Sequence, residues 1–174
     1  MDDIAKAAGL AKGTVYLYFG TKEALFLELV AEAMAGWLAE VGRQVGPKRT
    51  ARAIAATLAE RPALIRLLAL LHPVLERNTD ASSLRVFKHR LLELTREAAA
   101  LLEKNLHLKP GAGTRVVLWM HALVVGLGQM ASPSPTLAKL LAEDEALSVF
   151  RLDFRAELES ALTALFTGAS RRRA

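Results

Sequence analysis

Apolar residues recur at three- and four-residue spacing along almost the whole chain, and no stretch alternates between apolar and polar as a half-buried strand would. That periodicity predicts an all-α fold. With 174 residues, 52% of them apolar, the chain is long enough to bury a real core and too apolar to be disordered. Cysteine is absent, which excludes a disulfide framework, thiolate catalysis and cysteine-type zinc sites. Asp2 and Asp3 follow Met1 where a secretory leader would be basic, and the longest nearly uncharged run, Val116 to Ala131, is too short to span a bilayer. The expectation is therefore a cytoplasmic protein with no membrane partner.

Local signals divide the chain into helices. Two short pieces flank Gly9. Thr21 is placed to cap a helix from Lys22 to about Val41, which Gly42, Gly46 and Pro47 should end. A helix over Thr50–Glu60 should follow, then one over Pro62–Leu71, with Pro73 kinking or ending it. Asp80, Ser82 or Ser83 can cap a long helix from about Leu84 to Leu106. Lys109-Pro110-Gly111 breaks the chain before a helix over Thr114–Ala131 that is apolar nearly all round. Ser132-Pro133-Ser134-Pro135 reads as a second break, and a last helix is expected over about Glu143–Phe166.

The segment from Asp3 to Leu29 reads as helix, tight turn, helix and a third helix. Ile4, Ala8, Leu10, Val15, Phe19, Leu25 and Leu29 are spaced to close a small core. At about 100° per residue, Val15 and Phe19 share one side of the middle helix. Gly13, Thr14 and Leu17 fall within about 60° of the opposite direction, with Tyr16 and Tyr18 about 100° from it on the two flanks. Such a face adds nothing to stability, but a major groove can use it. Glycine permits close approach, tyrosine and leucine can touch thymine methyls, and hydroxyls can bond base edges or phosphates. A helix-turn-helix inserts its second helix in this way.

On Ile4-Ala5, Ala8-Gly9-Leu10, Gly13-Thr14-Val15-Tyr16, Tyr18-Phe19 and Thr21-Lys22-Glu23-Ala24-Leu25, this stretch resembles the TetR family of bacterial transcriptional regulators. The resemblance implies a helix-turn-helix DNA-binding domain over residues 1–41, followed by a helical effector-binding and dimerisation domain over residues 42–174. Carried over position by position, operator contacts fall on Lys12, Gly13, Thr14, Tyr16, Leu17 and Tyr18, with Lys22 on a phosphate. Family members normally carry another helix before this motif. Only Met1 and Asp2 precede it here, so the chain is expected to lack most of that helix. A helical dimer that binds ligand or scaffolds without touching DNA is then the alternative reading.

The net charge of +5 suits a polyanionic partner without locating one, since Arg171, Arg172 and Arg173 supply three of those charges. His72, His89, His107 and His121 make no two-histidine pair at helical spacing, so no metal site is expected. No phosphate loop, nucleophile elbow or paired-carboxylate motif appears, which points away from an enzyme and from a cofactor. Phe87, His89, Trp119, Met120 and His121, with His72 and Gln129 nearby in sequence, are the candidate lining of a cavity for a small apolar effector. Helices 114–131 and 143–166 are the expected homodimer interface. The whole reads as a one-component regulator, a repressor that binds a pseudo-palindromic operator as a dimer and is released by its effector.

Overall fold

The chain's computed structural model describes residues 2–7, 9 and 11–171, with the backbone alone at positions 3, 4 and 12. Every regular element among the described residues is helical. Two short helices, α1 (Asp2–Ala7) and α2 (Lys12–Tyr18), lead into α3 (Lys22–Gln44), the axis around which the rest is built. Thr21 caps α3, its hydroxyl accepting from the Ala24 N–H at 3.1 Å. The helix runs three residues past the expected end at Val41. Gly42 costs about 1 kcal/mol inside a helix and does not stop it; the extended backbone at Val45 does.

Next come α4 (Thr50–Ala59) and α5 (Pro62–Leu70), the latter opening on Pro62 as expected. Pro73 lacks the N–H that an α-helix needs, and here the chain widens into a single π turn over Leu71–Leu75, then tightens to a 3-10 turn over Glu76–Asn78. Asp80 caps α6 (Ala81–Leu106) by accepting from the Ser82 and Ser83 N–H groups, each at 2.9 Å. Those bonds, the Ser82 hydroxyl's first, hold its carboxyl far below the usual range. At the other end of α6, His107 adopts φ 52°, and Leu108 donates back to the Glu103 carbonyl at 3.1 Å before burying its own side chain.

The helix α7 (Ala112–Met130) returns along α6 so closely that a Cβ at Gly113 would sit 2.5 Å from the Ala99 carbonyl oxygen. Beyond it the expectation of one helix over Glu143–Phe166 fails. Ser134 is an N-cap with Pro135 in the first turn, so the apparent break starts α8 (Pro135–Glu143). A 3-10 turn over Glu145–Phe150 follows, and α9 (Phe154–Arg171) begins only there. Leu147 and Phe150 keep the helical period of α9 but are not in it.

One core joins α3, α4, α5, α6, α7 and α9. Leu27, Val30 and Trp37 of α3 meet Ile54 and Leu58, Leu64 and Leu68, Phe87 and Leu102, Met120 and Val124, and Leu158 and Leu162. Leu158 and Leu162 are wholly buried in this core, so neither can face a second subunit. In the N-terminal part Ala5, Val15 and Ala24 are buried and Leu25 partly so, but Leu29 is exposed rather than closing the small core. Ile4 as a side chain, and Ala8 and Leu10 altogether, lie outside the described residues.

Candidate DNA-reading face and effector cavity

The turn between α1 and α2 passes through Gly9 at φ 67°, a left-handed conformation that favours glycine, with the Gly9 N–H bonded to the Lys6 carbonyl at 3.2 Å. Val15 is buried and Phe19 half-buried, which fixes the inward side of α2. The other side carries no cover. Leu17 is 86% exposed, Tyr18 77% and Tyr16 44%. Gly13 is also exposed, and a Cβ there would meet nothing within 4 Å. Thr14 is half-covered. Lys22 stands exposed at the start of α3, 3.8 Å from Glu23. The Lys12 side chain lies outside the described residues. A leucine and two tyrosines raised together on a seven-residue helix carry a hydration cost that internal packing would have avoided.

Deeper in the molecule α3, α4, α5, α6 and α7 enclose an apolar cavity of about 60 Å3. Met120 and His121 line it. The other three residues expected there do not. Phe87 is consumed in the core, His89 points outward, and Trp119 lies on the outer face of α7 beside Arg115. The aromatic wall is instead Trp37, whose indole Nε1–H donates to the Thr57 hydroxyl at 3.0 Å; that hydroxyl donates in turn to the Ala53 carbonyl at 2.7 Å. Met34, Leu68 and Thr95 also line it, among further aliphatic side chains of the five helices. The inward stripe of α3, read together with its single tryptophan, was the available signal for Trp37.

His121 is the cavity's basic group. Its ring meets that of His72 edge to face at 5.4 Å. His72 Nδ1 lies 3.3 Å from a Glu76 oxygen, and Glu76 accepts from Lys88 Nζ at 2.6 Å. Burial above all, then the neighbouring His72, holds the His121 imidazole below its ordinary value, with Glu76 opposing. Burial works to raise the Glu76 carboxyl, but the bonds from Lys88 and His72 outweigh it and leave it lowered. Among the described residues no three His, Asp or Glu side chains converge as a metal site, and no single helix is long and apolar enough to cross a membrane.

Comparison with known families decides the assignment. Residues 23–173 match the family described as tetracyclin repressor-like, C-terminal domain, and residues 1–29 match bacterial regulatory proteins of the tetR family. The chain belongs to the TetR family. TetR regulators act by DNA-binding transcriptional regulation. The chain is also 41% identical over 49 residues to the fatty acid metabolism regulator protein of Bacillus subtilis (strain 168). That match covers 28% of this chain and 25% of the relative's length.

Proposed function

We propose that this TetR regulator is a bacterial, cytoplasmic repressor that reads a pseudo-palindromic operator as a homodimer and leaves it when a small apolar effector binds. It is not an enzyme in this reading. The observation that carries the reading is the uncovered side of α2, where Gly13, Tyr16, Leu17 and Tyr18 face outward together. Thr14 extends that side toward base edges and backbone, Lys12 is assigned a contact from its position in the sequence alone, and Lys22 supplies a phosphate contact from α3. Residues 1–41 act as the DNA-binding part and residues 42–174 as the effector-binding and dimerising part.

Dimerisation is assigned to α7 and α9. Leu118, Trp119, Ala122 and Met130 form an exposed stripe on α7, and α9 presents Ala164 and Gly168. Small residues let the backbones of two copies approach, while the large ones supply apolar area. A two-fold pair would present two copies of α2 to successive major grooves, about 34–36 Å apart.

The effector site is assigned to the Trp37–Met120–His121 cavity, with Phe87, His89 and Trp119 left outside it. Ligand sites usually enclose roughly 300–1,000 Å3, so an effector has to part the helices that line this one. One of them is α3. Trp37 lies fifteen residues from Lys22 on this helix, about 22 Å along its axis. A tilt of about 6° would displace the α2 end by about 2 Å, and an effector that binds the tilted state better lowers DNA affinity by that difference. The B. subtilis relative's name, a regulator of fatty acid metabolism, agrees with an apolar effector class.

Retention of genomic fragments by the purified protein tests the reading. Recovered fragments should share an inverted repeat. Fragments with no common sequence, bound no more tightly than random DNA, would overturn the operator reading and leave a ligand-binding helical dimer.

A further inference from the structure

His121, His72, Glu76 and Lys88 form one chain of contacts that runs from the effector cavity to the surface. Four elements meet in it. His121 stands on α7, His72 on the π turn that Pro73 opens, Glu76 at the start of the 3-10 turn, and Lys88 on α6. Single π turns often mark functional sites, and this one carries the ring that touches His121. The cavity's other polar side chains are already committed. The Trp37 indole donates to Thr57, and Thr95 donates to the Leu91 carbonyl at 2.7 Å. The rest of the lining, from α3, α4, α5, α6 and α7, is apolar and holds no carboxylate, lysine or arginine. His121 is the titratable group on that wall. Its ring is half-buried, and among the described residues no hydrogen bond engages it.

We propose that the effector is an apolar monocarboxylic acid, bound with its carboxylate against the His121 imidazole and its hydrocarbon body among Met34, Trp37, Leu68 and Met120. The assignment rests on the effector-cavity reading above and names the chemical class that cavity takes. A cationic ligand would bury its charge with no carboxylate on the wall to meet it. A pure hydrocarbon would desolvate the imidazole and give it no partner. An acid satisfies both. His121 takes up one proton from water, and its N–H donates to the carboxylate in a charge-assisted bond within apolar surroundings. The groups acting on that proton are His72, Glu76 and Lys88, while α3, α4 and α5 line the cavity without a titratable side chain. Burial, then His72, then Lys88 disfavour the imidazolium, and Glu76 alone favours it. A ligand carboxylate adds the negative charge that tips the balance. The His72 side chain, more than half exposed and 3.3 Å from Glu76, joins the buried ring to water. A ligand hydroxyl could donate to the same imidazole, but it would draw no proton, so binding would not depend on pH.

Decanoate and 1-decanol share a thin, flexible chain and differ in the head group, so the pair reads that group alone. Trp37 and Trp119 are the chain's two tryptophans, so a Trp119→Phe protein reports the cavity through Trp37 fluorescence. Decanoate should bind about tenfold more weakly at pH 8.5 than at pH 6.5, because the complex holds a proton that the free protein and the free anion do not. Decanol should change by less than about twofold over the same range. His121→Asn should remove the decanoate slope and retain decanol binding, which shows that the cavity is still formed. Decanoate affinity that is independent of pH, or a slope that survives His121→Asn, would overturn the acid assignment while leaving an apolar effector site. A Trp37 signal that neither compound moves would overturn the acid and the cavity together.

Discussion

Thr57→Val should destabilise the protein through a single lost acceptor. Thr57 is buried, and its hydroxyl is what the Trp37 indole donates to, at 3.0 Å. Valine has nearly the same shape, so packing is retained while the indole N–H is left without a partner in the apolar interior. A buried donor stranded in this way costs about 1–3 kcal/mol. For a chain of this length each kcal/mol moves the melting temperature by about 2–4 °C, so the variant should melt between about 2 and 12 °C lower. Thermal unfolding followed by circular dichroism, at one protein concentration because the chain is expected to dimerise, measures the shift. Thr57→Ser retains the hydroxyl and should lose much less. In a Trp37→Phe background the donor is gone, so Thr57→Val should cost less there by the coupling energy of the pair, about 0.5–3 kcal/mol. Two results would refute the reasoning: a Thr57→Val protein that melts with the wild type, or a Thr57→Ser protein as unstable as Thr57→Val.

Tyr16→Ala should weaken operator binding by about 1–3 kcal/mol with the melting temperature unchanged, because the side chain stands outside the core; operator titration beside a melting curve checks both. Lys22→Ala should weaken binding to all DNA alike and reduce the slope of log K against log salt by about 1, so a loss confined to the operator would contradict a phosphate role. Leu118→Asp should give a folded monomer in sedimentation, whereas Leu158→Asp should unfold the chain, since Leu158 lies wholly inside the protomer. The lowered His121 value means that the unfolded chain takes up a proton first as pH falls. The associated stability is fully present above the ordinary 6.5 and is lost as pH drops from there toward the folded value. His121→Asn should flatten that part of the stability–pH curve, as read by denaturant unfolding across the range; an unchanged slope would show that another group sets it.

The helical class, the caps at Thr21 and Asp80, and the inward side of α2 could all be read from the sequence because each depends on residues within one or two turns. A hydroxyl or carboxylate beside the first N–H groups starts a helix wherever the rest of the chain goes, and the turn angle alone sends Val15 and Phe19 to one side and Leu17 to the other. Ser134-Pro135 misled for a local reason too, since the same dipeptide that breaks one helix also begins another. What lay beyond reach was the identity of each apolar face's neighbour. Leu118 and Leu158 are the same residue on helices of similar period, yet one is exposed and the other fully buried. Phe87 and Trp37 are both inward aromatics, but only Trp37 reaches the cavity. Periodicity specifies that a stripe must be covered, because water is a poor solvent for it. Whether the cover is the chain's own core, a ligand or a second copy depends on where distant segments come to rest, and only the tertiary packing decides that.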